Sequence, residues 1–100
     1  MLGDYMNEIS IYELLKISNP NIIDIRDNYS YSMGNLKGSK NIPYYSLLSN
    51  YSIYLNKQDT YYLYCDYGQQ SKEISARLNL FGYKTIYVKE GYLDFQNIIK

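Results

Sequence analysis

Apolar positions along the chain come in short blocks whose spacing switches between the strand and helix periods. Ser10, with Glu13 three residues later, makes a capping box ahead of Ile11, Leu14, Leu15 and Ile17, and predicts a helix stopped at Asn19-Pro20. Asn21-Ile22-Ile23-Asp24-Ile25-Arg26 reads as a strand covered on both faces. Asp27 to Lys40 is polar, contains Gly34 and Gly38, and reads as a short helix or turn followed by a loop. Pro43 suits the first turn of a helix running through about Ser49, and Tyr51 to Leu55 is open between a helical turn and an extended piece. After a turn at Lys57-Gln58-Asp59, Thr60 to Cys65 predicts an aromatic-rich strand. A loop from Asp66 to Gln70 leads into a helix from Ser71, whose apolar stripe of Ile74, Leu78 and Phe81 closes at Gly82. Thr85 to Val88 is a further strand, and Tyr92, Phe95, Ile98 and Ile99 mark a final helix after Gly91. Strands alternating with helices predict an α/β fold, a mostly parallel sheet with helices on both faces and the strand C-termini along one edge.

Composition narrows the chemistry. The 100 residues suit one domain, 1–100. Ten basic and ten acidic residues cancel, which argues against nucleic acid or an anionic membrane as partner. No histidine is present, so Cys-His and Ser-His catalysis and His-containing metal sites are excluded. One cysteine excludes an intrachain disulfide, a CxxC redox pair and a Cys-rich zinc site. The 15 tyrosines read as a coding bias with rings scattered over the surface. Met1 to Glu8 has two acids and no basic cluster, unlike a targeting peptide, and the apolar runs are too short to span a membrane. A cytoplasmic location is expected, where a free thiol is at home.

Cys65 stands at the carboxyl end of a strand, just before a tight loop and a helix. Ligands bind at this place in open α/β sheets. Amides of the loop and the positive end of the helix favour a thiolate there, and the thiolate is the nucleophile. Gly68 allows a left-handed turn, and Ser71 can cap the helix. Cys65 taken alone also fits a second description, the last core-facing residue of its strand.

Three segments together resemble the rhodanese-like (sulfurtransferase) family. Ile23-Asp24-Ile25-Arg26 is similar to its I-D-V-R strand, Gly34 to Pro43 to its G-H-I-x-G-A-x-N-I-P segment, and Cys65 to Ser71 to its C-x-x-G-x-R-S loop. Glu90-Gly91-Tyr92-Leu93-Asp94-Phe95 sits where the family has G-G-x-x-x-W. The resemblance implies a sheet of about five strands. It also implies a sulfurtransferase that carries a sulfane sulfur as a persulfide on Cys65, from a sulfur donor to a thiophilic acceptor. Asp66, Tyr67, Gly68, Gln69, Gln70 and Ser71 would cradle the substrate, with Asp24, Arg26 and Asn35 in support and no metal or cofactor. Its partners would be a small donor and a thiol acceptor, or a partner protein. The sequence departs from the family at Gln70, which stands in place of arginine, at the acidic Asp66, and at Asn35, which replaces a histidine. These departures favour an alternative: a sulfur-carrier or non-catalytic interaction module without efficient turnover. For Asp24, Arg26 and Asn35 the residues themselves suggest hydrogen bonds and an ion pair that pin loops.

Overall fold

The strands alternate with helices as the periodicity predicts. The computed structural model describes residues 7–99. The first six residues of the acidic N-terminal stretch lie outside them. Five strands, β1 (Glu8–Ile9), β2 (Asn21–Asp24), β3 (Ser39–Asn41), β4 (Thr60–Tyr64) and β5 (Lys84–Val88), form one sheet in the order β1-β5-β4-β2-β3, all parallel. The helices are α1 (Ile11–Leu14), α2 (Asn28–Met33), α3 (Tyr44–Tyr54), α4 (Gln69–Leu80) and α5 (Tyr92–Phe95).

Alternation along the central strands divides the core in two, because successive side chains point to opposite faces. Ile23, Ile25, Tyr61, Leu63 and Cys65 pack with Leu47 of α3 and with Ile74 and Leu78 of α4. Ile22, Tyr64 and Val88 pack on the other face with Ile11 and Leu14 of α1 and Phe95 of α5. Burying each such aliphatic side chain contributes about 1.5–3 kcal/mol.

Several boundaries differ from the sequence reading. The Ser10–Glu13 capping box forms, but α1 is a single turn: Ile11 and Leu14 are buried, Leu15 is exposed, Ile17 packs on the core from beyond the helix, and Asn19 turns left-handed ahead of Pro20. α3 runs on to Tyr54 across a bend at Asn50, resolving the ambiguity at Tyr51 in favour of a helical turn. Strands β1 and β3 were not expected at their positions. At the far end of α4 the reading holds: Gly82 has φ +97°, and the amides of Gly82 and Tyr83 donate to Asn79 O and Leu78 O. Phe81 is half-exposed, because it lies past the last buried turn, and it stacks on Tyr51 at 4.9 Å.

The tyrosines are a second correction: Tyr61, Tyr64, Tyr83 and Tyr87 are buried. Tyr64 Oη accepts from the Leu36 amide (3.0 Å) and meets Ser39 Oγ (3.2 Å), so its polar tip is satisfied inside the core. Burial pushes the Tyr64 phenol above its ordinary 10.0, and burial with the Glu8 hydrogen bond pushes Tyr87 up to about 12. Folded-state values above the unfolded ones stabilise below about pH 10, and this stability is lost as pH climbs through the folded values. Urea unfolding should therefore show a midpoint that falls between about pH 9 and about pH 12, with a shallower fall in Tyr64→Phe. Equal slopes in the two proteins would contradict this assignment.

Candidate functional site

The chain leaves β2 through α2 toward β3 at one edge of the sheet, and leaves β4 through α4 toward β5 on the other side. Between β2 and β4 the strand order reverses, which opens a crevice at their carboxyl ends. The register sets Asp24 beside Tyr64, and it continues with the Ile25 amide donating to Tyr64 O (3.0 Å). Arg26 and Asp66 thereby meet across the crevice, with Arg26 Nη1 at 3.5 Å from Asp66 Oδ1.

Cys65 follows the last residue of β4 on the face covered by α3 and α4 and is 3% exposed. The sulfur is also enclosed by polar groups. The amides of Gly68 (3.1 Å) and Ser71 (3.4 Å) donate to Sγ, and the thiol donates to Ser71 Oγ at 3.4 Å. Cys65 thus belongs to the core cluster, while its sulfur takes hydrogen bonds at the start of a 12-residue helix. Gln69 and Gln70 are the first residues of that helix, so their amides lack intrahelical acceptors.

The helix begins two residues before Ser71, so Ser71 is not its cap. Gly68 holds that position with φ +90°, and Ser71 lies one turn in, its hydroxyl donating to Gly68 O (3.2 Å). A Cβ at Gly68 would approach Lys89 O to 2.5 Å, so both the conformation and the space require glycine. Tyr67 is exposed at the rim, and the side chains of Gln69 and Gln70 are exposed as well.

Asp24 and Arg26 form a buried pair with Nη2–Oδ2 at 2.7 Å, and Arg26 Nη2 also donates to Gly34 O (2.7 Å). Burial alone would lower the Arg26 guanidinium, but the hydrogen bonds to Asp24 reverse this and raise it above its ordinary value. The guanidinium lies 4.1 Å from the centre of the Tyr92 ring. These contacts tie β2, the segment before β3 and α5 together, the pinning role expected of this pair. Asn35 likewise serves its own loop, its Nδ2 donating to Tyr31 O (2.9 Å).

The segment after β5 was missed as part of the site. Tyr92 N donates to Cys65 O (2.8 Å) and Leu93 N to Asp66 O (3.3 Å), so this segment clasps the loop from behind. A Cβ on Gly91 would collide with Asp66 O and Tyr67 Cα. The glycine in Glu90-Gly91-Tyr92, directly after a strand, was the available signal. Gly91→Ala should lower stability by about 1–3 kcal/mol and displace the Cys65 loop. The change would be read as a shifted urea midpoint together with altered alkylation of the single thiol, and an unchanged protein on both counts would contradict the clasp.

A cavity of about 290 Å³ opens beside the loop, walled by Arg26, Asp27, Tyr44, Tyr45, Asp66 and Gln70 among others. A second, of about 300 Å³, flanks Asp66 on the side of Met33, Tyr92 and Leu93. Among the described residues no cluster of three His, Cys, Asp or Glu groups could hold a metal, and no helix is long and apolar enough to cross a membrane.

Residues 10–98 match the Rhodanese-like domain family. The structure is similar to that of SSP1007 from Staphylococcus saprophyticus subsp. saprophyticus (TM-score 0.82, 30% identity, covering 90% of this chain and 93% of that one). It is also similar to a rhodanese-like domain protein from Staphylococcus aureus (TM-score 0.78, 26% identity, 88% and 89% covered). The human single-domain sulfurtransferase TSTD1 shares the fold at 18% identity (TM-score 0.78, 93% and 97% covered). A tRNA uridine(34) hydroxylase of Hamiltonella defensa subsp. Acyrthosiphon pisum (strain 5AT) is 26% identical over a 94-residue alignment that covers 89% of this chain and 26% of that protein. The chain thus spans about a quarter of the length of this curated relative.

Proposed function

Because this chain belongs to the rhodanese-like domain family, we propose that it is a sulfurtransferase that takes a sulfane sulfur onto Cys65 as a persulfide and passes it to a thiophilic acceptor. The observation that carries this reading is the pair of amides, Gly68 N and Ser71 N, donating to the Cys65 sulfur at the head of α4. Hydrogen bonds to a charged acceptor are roughly twice as strong as neutral ones, so this cradle favours a sulfur that carries negative charge.

In the first displacement the Cys65 thiolate attacks the outer sulfur of the donor. A Cys65–S bond forms, the donor's S–S bond breaks, and its electron pair leaves with the donor fragment, a thiolate from a persulfide or sulfite from thiosulfate. In the second, an acceptor thiolate attacks the outer persulfide sulfur and Cys65 departs as thiolate, which restores the starting state. Neither step needs a metal or an external oxidant. The outer sulfur would sit one bond beyond Sγ, at the head of α4, whose first amides, those of Gln69 and Gln70, have no intrahelical acceptor.

Incubation with a persulfide or polysulfide donor followed by intact-mass spectrometry should show one added sulfur atom, removed again by a thiol acceptor. A chain that gains no sulfur from any donor would overturn the proposal. The slight exposure of Cys65 and the neutral Gln70 favour the second reading, a carrier or interaction module. On that reading the persulfide forms but multiple turnover with small molecules is absent, so single-turnover and steady-state rates measured together separate the two.

A further inference from the structure

Two cavities beside the Cys65 loop are lined by carboxylates, and Arg26, the cation that lines both, is shared with the buried Asp24. Resting on the reading of Cys65 as a sulfur carrier, we propose that Asp66 and Asp27 make the site selective by charge. It accepts sulfur borne on neutral or cationic carriers and turns away oxyanionic donors such as thiosulfate.

The charged side chains lining the cavity beside the loop are Arg26, Asp27 and Asp66, and those lining the cavity on the other flank are Arg26 and Asp66. The guanidinium is already committed. Asp24 takes it in a bidentate pair, Gly34 O takes Nη2, the Tyr92 ring covers one side, and the side chain is 4% exposed. Its fourth neighbour, Asp66, is 40% exposed and sits at 3.5 Å. The guanidinium thus answers two carboxylates, Asp24 and Asp66, while Asp27 stands as a third on the wall of the cavity beside the loop. Asp27 caps α2 through the Ser30 amide (2.8 Å), which holds its carboxyl below the ordinary value, and its side chain is exposed. Gln70 contributes no charge, and Lys72 and Lys89 line neither cavity.

Asp66 directly follows Cys65 in the chain, so a donor reaching the cradle comes within about the Debye length, ~8–10 Å at physiological salt, of its carboxylate. Thiosulfate would carry two negative charges into that field. A persulfide on a neutral or cationic carrier brings only the sulfur's own charge, which the amides answer, and the Tyr44 and Tyr45 rings offer its carrier an apolar wall with cation–π capacity.

The test reads the field through the thiol itself, and Cys65 is the single cysteine of the chain. The rate of Cys65 modification by cationic 2-aminoethyl methanethiosulfonate is divided by that for anionic 2-sulfonatoethyl methanethiosulfonate and compared with the same ratio for a neutral cysteine peptide. At low salt the protein's ratio should exceed the peptide's by about tenfold, and it should converge on it near ~1 M salt. Asp27→Asn with Asp66→Asn should remove most of the excess. Sulfur loading from thiosulfate should rise in that variant, and loading from cysteamine persulfide should fall relative to it. A ratio equal to the peptide's, an excess insensitive to salt, or a thiol that neither reagent reaches would overturn the proposal. Should no donor load sulfur while the reagent ratio holds, the persulfide reading falls and the charge selectivity of the thiol stands.

Discussion

Cys65→Ser is expected to take up no sulfur from any donor while keeping its fold. The acceptor of the Gly68 and Ser71 amides would become a hydroxyl oxygen at nearly the same place, so the head of α4 keeps partners. An alcohol at neutral pH is a far weaker nucleophile than a thiolate and has little affinity for sulfane sulfur. Among the described residues no other thiol can substitute. Replacing this thiol by a hydroxyl in a residue that shares the core cluster with Leu63 and Ile74 should cost about 1–2 kcal/mol. Intact mass after donor treatment and a urea titration measure the two effects. Transfer that persists in the serine variant would place the chemistry elsewhere, and a collapse of stability by more than about 4 kcal/mol would show that the cysteine is mainly a structural residue.

Arg26→Met should lower stability by about 3–5 kcal/mol, the largest loss expected of any single substitution near the site. The Asp24 side chain is wholly buried, and the guanidinium supplies most of its hydrogen bonds. Methionine fills similar volume but leaves a buried carboxylate with the Arg26 amide as its remaining donor (2.9 Å). Adding Asp24→Asn to the variant should recover part of the loss, because a neutral amide costs less to bury than an unpaired charge. Urea midpoints of the two single variants and the double variant give the coupling directly. A loss below about 1 kcal/mol in Arg26→Met would mean that Asp24 finds another partner or takes up a proton. The same substitution removes the cation beside Asp66, so the loop should also become more open to alkylation at Cys65.

Where local chemistry set an element, it could be read from the chain. The Ser10–Glu13 box, the Ile74–Leu78 stripe, the Gly82 stop and the isoleucines of β2 each encode their conformation within a few residues. The loop after β4 was legible for the same reason: a thiol, a glycine and a helix start lie within seven residues, Cys65 to Ser71. β1 and β3 were not, because two or three residues carry no period and owe their extended form to partners in β5 and β2. The start of α4 was misplaced because Gln69 and Gln70 have no cap of their own, and the left-handed Gly68 supplies the turn instead.

By itself the sequence determined the kind of fold and the single thiol on which the proposed chemistry rests, since periodicity and residue type are local properties. The tertiary structure decided how that atom is held. It brought Gly91 and the amides of Tyr92 and Leu93 against the loop from the segment after β5, the next strand along the chain. It also committed Arg26 to Asp24 and left Asp66 facing the crevice. Those are distances between residues far apart along the backbone, and only the parallel register of β2, β4 and β5 fixes them.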